Sequence, residues 1–88
     1  MMTLVEEVQS AIKSNKVIFG YRESIKFIKT NSPKLVVIAN NIPDKIRKEI
    51  EYNAKLSNAK LEIFNGSSKD LGVICGKPFP IATLVIKG

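Results

Sequence analysis

Three short segments hold the residue types able to recognise a charged or planar ligand. In Gly20-Tyr21-Arg22-Glu23-Ser24-Ile25-Lys26, a glycine stands just ahead of a helical spacing. Such a glycine lets another backbone approach closely, the first N–H groups of the helix face outward, and Arg22 and Lys26 stand one turn apart. A phosphate suits that arrangement; the plainer reading is a turn glycine followed by a solvated basic face. Asn40-Asn41 lies between an apolar run and a helix start, where an amide either caps the helix or pairs with a base edge, and one of the two is expected only to cap. In Lys77-Pro78-Phe79-Pro80-Ile81, a phenylalanine between prolines makes a preformed stacking surface for an unpaired base, unless its ring folds back as a lid on the core.

Catalytic chemistry is poorly supplied. The chain has no histidine to act as a base near neutral pH and one cysteine, Cys75, so neither an internal disulfide nor a cysteine-held zinc is available. Cys75 falls on an apolar stripe with Leu71 and Ile74, which reads as a small core residue rather than a nucleophile. Glu23 and Asp70 are lone carboxylates near helix starts, where caps and dipole partners are usual. Gly20 has no second and third glycine at dinucleotide-binding spacing, and no Gly-Lys-Ser/Thr sequence is present. With 88 residues there is room for one domain, residues 1–88, and little space for an enclosed cofactor, so none is expected. Fourteen basic residues against eight acidic ones give a net charge of +6. That balance favours an anionic partner such as RNA, DNA or a lipid surface over simple solubility. No apolar run approaches a membrane span, and the acidic segment with Glu6 and Glu7 is unlike a signal peptide, which predicts a soluble intracellular chain with no membrane partner.

The elements that must position these segments follow from alternating periodicities. Thr3 and Glu6 form a capping-box pattern, and Leu4, Val5, Val8 and Ile12 mark a helix running to about Ser14. Val17-Ile18-Phe19 reads as a strand ended by Gly20, and Tyr21, Ile25 and Ile28 as a second helix broken at Asn31-Ser32-Pro33. Leu35 to Ala39 is continuously apolar, as in a strand covered on both faces. Pro43 and Asp44 start a third helix with Ile46, Ile50, Ala54 and Leu56 facing inward, ended by Ser57-Asn58. Leu61 to Phe64 alternates as a strand, Asn65-Gly66 turns, and Ser67 with Asp70 repeats the capping logic for a short fourth helix closed by a left-handed Gly76. The prolines at 78 and 80 exclude helix or central strand, and Ile81 to Ile86 forms the last strand. This alternation predicts an α/β fold: a three-layer α/β/α sandwich with a four-stranded, mixed sheet and four helices.

The segments GYRESIK, PKLVVIANNIPDKIRKEIEYNAKLS and NGSSKDLGVICGKPFPIATLVI together resemble the kink-turn RNA-binding ribosomal protein superfamily, most closely the archaeal and eukaryotic large-subunit ribosomal protein thirty family. The resemblance covers nearly the whole chain. It implies a non-catalytic structural constituent of the large ribosomal subunit in the cytoplasm, gripping a sharply bent internal loop of ribosomal RNA with tandem sheared G·A pairs. Carried over, the helix start that reads the G·A pairs corresponds to Gly20, Arg22, Glu23 and Lys26, and the loop after the central strand to Asn41. The loop that holds a flipped-out nucleotide corresponds to Gly76, Lys77, Phe79, Pro80 and Ile81. Box C/D-type members carry Asn-Glu where this chain has Arg22-Glu23, which favours the ribosomal branch. Neighbouring ribosomal components are implied as further partners, with a monomer off the ribosome. The alternative is a protein-binding adaptor on the same scaffold, using the third helix or an edge strand.

Overall fold

In the computed structural model, which describes residues 3–87, eight elements alternate along the chain. They are α1 (Leu4–Lys13), β1 (Val17–Phe19), α2 (Tyr21–Thr30), β2 (Leu35–Ala39), α3 (Asp44–Leu56), β3 (Lys60–Phe64), α4 (Ser68–Ile74) and β4 (Thr83–Ile86). Local chemistry sets the boundaries. The Thr3–Glu6 and Ser67–Asp70 capping boxes are both closed, each satisfying two helix-start donors reciprocally. Helices α1, α3 and α4 end on left-handed residues, Asn15, Asn58 and Gly76. At each, the next N–H bonds back to a carbonyl five residues earlier: Lys16 to Ala11, Ala59 to Ala54 and Lys77 to Gly72. This is the Schellman arrangement that consumes the last helical acceptors.

The sheet order is β1-β4-β2-β3. β4 runs antiparallel to both β1 and β2, and β2 runs parallel to β3, so β1, β2 and β3 share one direction. The two interior strands, β2 and β4, are buried at every position, which explains the unbroken apolar run of β2 and the apolar Leu84-Val85-Ile86 of β4. Leu35, Val37 and Ala39 of β2 face α1 and α4, together with Leu84 and Ile86 of β4. Val36 and Ile38 face α2 and α3, where Ile25, Ile28, Ile50 and Ala54 meet them. Each such aliphatic side chain contributes about 1.5–3 kcal/mol by leaving water. Cys75 is buried in the first of these cores, and burial pushes its thiol pKa up, which keeps it a protonated, inert filler.

Some boundaries depart from expectation. The last strand starts at Thr83 rather than Ile81, because the Ile81 N–H is diverted to the Ser68 carbonyl of α4 at 2.9 Å. Leu56 does not face inward but is 68% exposed. At roughly 100° per residue it lies well round the helix from the Ile46–Ile50–Ala54 stripe. Pro43 is the residue before α3 rather than inside its first turn. On the edge strand β3, Ile63 shares a side with the half-buried Leu61 yet remains 53% exposed. Ser24 and Thr83 are fully buried, and their hydroxyls have no hydrogen-bond partner among the described residues.

Candidate nucleic-acid interface

Because β1, β2 and β3 run the same way, the helices that follow them, α2, α3 and α4, all start at one end of the sheet. Ligands of open α/β sheets lie outside such carboxyl strand ends. Each long helix start adds roughly half a positive elementary charge there. All three sequence segments arrive at this rim and are tied together by backbone hydrogen bonds. The Gly20 N–H donates to the Thr83 carbonyl, Asn40 N–H to Gly66 and Ile81 N–H to Ser68, each at 2.9 Å.

Gly20 holds φ 97° and ψ 151°, a region essentially confined to glycine. A Cβ built there would meet nothing within 4 Å, so the demand is on the backbone and not on space. No side chain caps α2, which leaves its first N–H groups to face the rim. Arg22, Glu23 and Lys26 are exposed, and none belongs to an ion pair among the described residues. Tyr21, half-buried beside them, has its phenol pKa raised by the adjacent Glu49 carboxylate of α3. With Arg22, Lys26 and Lys29 these two side chains line a cleft of about 460 Å³ between α2 and α3.

Neither Asn40 nor Asn41 caps α3, whose start has no side-chain cap. Asn41 instead reaches across to α4: its Oδ1 accepts from the Ser68 N–H at 2.9 Å, and its Nδ2 lies 3.5 Å from Ser68 Oγ. The amide is thus oriented by α4, with one lone pair of Oδ1 used on the scaffold and an Nδ2 hydrogen left over for a base edge.

In the last loop Phe79 does not fold back over the core; it is 51% exposed, with Pro78 and Pro80 exposed beside it. Lys77 is half-buried, with Nζ 5.1 Å from the centroid of the Phe19 ring, a cation–π contact that ties this loop to β1. Ile81 is only 2% exposed and its side chain belongs to the core, which leaves its backbone as the part of it at the loop surface. Gly76 lies off the rim, about 12 Å down α4 from Ser68 at 1.5 Å per residue.

Two supporting residues escaped the sequence reading. Gly72 is buried, and a Cβ there would overlap the Phe79 carbonyl oxygen, so its bareness sets how closely the loop sits on α4. A glycine inside a helix costs stability and usually marks such an approach, a signal available in the sequence. Ser68, which joins Asn41 to Ile81, left no such trace.

Residues 2–88 match the ribosomal protein L7Ae/L30e/S12e/Gadd45 family. The large ribosomal subunit protein eL30 of Methanocaldococcus jannaschii is 41% identical over 85 residues, covering 97% of this chain and 77% of that protein. The eL30 protein of Saccharolobus solfataricus is 42% identical over 80 residues, covering 91% and 74%. Among solved structures, the Giardia lamblia 15.5kD RNA binding protein superposes with a TM-score of 0.81 at 21% identity, over 97% of this chain and 71% of that one. A protein of unknown function from Bacillus halodurans C superposes with a TM-score of 0.84 at 13% identity, over 96% and 83%. These two share the fold. With residues 2–88 matched and relatives near 40% identity, the chain belongs to the ribosomal protein L7Ae/L30e/S12e/Gadd45 family.

Proposed function

We propose that the protein is a structural constituent of the large ribosomal subunit, cytoplasmic and non-catalytic, that binds ribosomal RNA by clamping a kinked internal loop. The observation that carries this reading is the convergence of the Gly20 helix start, Asn41 and exposed Phe79 on one rim. The free N–H groups at the start of α2, with Arg22 and Lys26, position phosphates. Glu23, a carboxylate that phosphate would repel, faces the N1 and N2 donors of a guanine in a sheared G·A pair. The amide of Asn41 meets a base edge. Phe79 and Pro80 form the platform on which an extruded base stacks, Lys77 holds its phosphate, and the Gly76 turn and Ile81 backbone fix the two ends of that loop. The eL30 relatives, large-subunit proteins by name, support the ribosomal setting.

The test is affinity for an RNA with a kinked internal loop against a plain duplex of equal length. The loop is expected to bind at least a hundredfold tighter; equal affinities reject the reading. Tyr52 and Leu56, 64% and 68% exposed on the outer face of α3, favour an additional contact with neighbouring ribosomal components. If that face instead drives self-association without RNA, light scattering will detect a dimer where a monomer is expected.

A further inference from the structure

Lys16, Lys34 and Lys87 reach the end of the sheet opposite the rim by three routes: just before β1, just before β2 and just after β4. Two backbone hydrogen bonds fix their spacing, from the Lys87 N–H to the Lys16 carbonyl at 2.8 Å and from the Lys34 N–H to the Ile86 carbonyl at 2.9 Å. Together with Glu7, Ser10 and Ser14 they line a shallow cavity of about 180 Å³. Ion pairs among the described residues involve only Arg47 and Lys60 as cations, and Glu7 is the one carboxylate among the described residues that lines the cavity with these three lysines. The C-terminus of α1 opens beside them and presents roughly half a negative charge, but Lys13 in its last turn already answers that. The surplus positive charge therefore requires another explanation.

We propose that this end of the sheet is a second RNA contact, a sequence-independent grip on phosphates that holds a different stretch of RNA from the one at the rim. Ammonium groups flanked by serine hydroxyls are donors matched to phosphate oxygens. None of the exposed large hydrophobics, Tyr52, Leu56, Ile63, Val73 or Phe79, lines this cavity. Nothing there would enter a bilayer or anchor a protein interface. The molecule is 23–29 Å across, so RNA filling the rim reaches the lysines only as a second strand or a long wrapping one. The grip does not depend on how the rim reads its loop.

The test is a salt titration of binding to a plain RNA duplex lacking any internal loop, using wild type, K16Q/K34Q/K87Q, K16R/K34R/K87R and F79A. The triple glutamine variant is expected to lose at least tenfold affinity at low salt and to flatten the log K against log salt slope by about 2–3 units, at about 0.7–0.9 per phosphate contact. The arginine variant should restore the wild-type slope, and F79A should leave duplex binding unchanged. On a kinked loop with minimal flanks the triple glutamine variant should bind like wild type, so a failure at the rim and a failure here give different patterns. The proposal is overturned by a wild-type slope in the triple glutamine variant, by no duplex binding in wild type, or by loss of binding to phosphatidylserine vesicles with duplex binding intact.

Discussion

The two ends of the sheet are built from the same strands yet hold opposite halves of the helices. At the far end α1, α2 and α3 finish, at Ser14, Asn31 and Ser57, and the left-handed asparagines Asn15 and Asn58 let the chain turn back and consume the last carbonyls. At the rim α2, α3 and α4 begin; α4 has its capping box, whereas α2 and α3 have no side-chain cap. One end is thus closed by its own hydrogen bonds and dressed with lysines, and the other keeps backbone donors free. Gly20 embodies the difference. Asparagine suffices near φ 57°, as at Asn58, but φ 97° with ψ 151° admits only glycine, and here it completes no cap.

The sharpest way to break this contrast is Gly20→Ala. Forcing a Cβ into that backbone region costs about 1–3 kcal/mol. The expected outcome is a thermal midpoint lowered by at least 4 °C, at roughly 4–8 °C per kcal/mol for a chain this short, and kinked-loop RNA affinity lowered at least tenfold. Unchanged affinity would mean the start of α2 does not touch RNA. Next in size is Phe79→Ala, which removes an exposed ring and should leave the midpoint within about 2 °C. RNA binding should weaken by about 1–3 kcal/mol, with the salt slope unchanged because no charge is lost. Retained affinity would assign the stacking platform elsewhere.

How much of this was legible in the sequence depended on whether the signal was local. Capping boxes are local, so Thr3–Glu6 and Ser67–Asp70 set the starts of α1 and α4 correctly. The double-sided burial of β2 was readable in five consecutive apolar residues. Ile81 misled as the start of the last strand because its type fits both a strand and a core, and only the diverted N–H to Ser68 shows where the strand begins. The cap expected from one of Asn40 and Asn41 failed for a related reason: a residue before a helix is expected to cap that helix, whereas the partner of Asn41 lies 27 residues away in another element. Strand order was equally out of reach, because pairing of β1 with β4 joins the two ends of the chain.

Gly72→Ala separates positioning from contact. In a helix exposed to solvent the change would stabilise by about 0.5–1 kcal/mol. Here the new methyl meets the Phe79 carbonyl, and overpacking of that kind costs about 1–3 kcal/mol. The thermal midpoint is expected to fall instead of rise, with a parallel loss of RNA affinity as the Phe79 loop lifts. A raised midpoint with full affinity would show that the loop sits on α4 with room to spare.

The smallest expected effect belongs to Gly76→Asn, and it bears most directly on which glycines serve the ligand. Gly76 holds φ 70° at the end of α4, with the Lys77 N–H returning to the Gly72 carbonyl at 2.9 Å. Asn15 and Asn58 occupy the equivalent position after α1 and α3 in the same hydrogen-bonding pattern, so this backbone accepts asparagine. No heavy atom lies within 4 Å of a Cβ placed there. The variant should therefore lose no more than about 1 kcal/mol of stability, a cost consistent with single-residue left-handed caps. If Gly76 only ends a helix, RNA affinity stays within about twofold of wild type. If RNA instead passes against its bare Cα, affinity falls by tenfold or more while the thermal midpoint barely moves, and Gly76, unlike Gly20 with its strained backbone, is then kept bare for the ligand rather than for the fold.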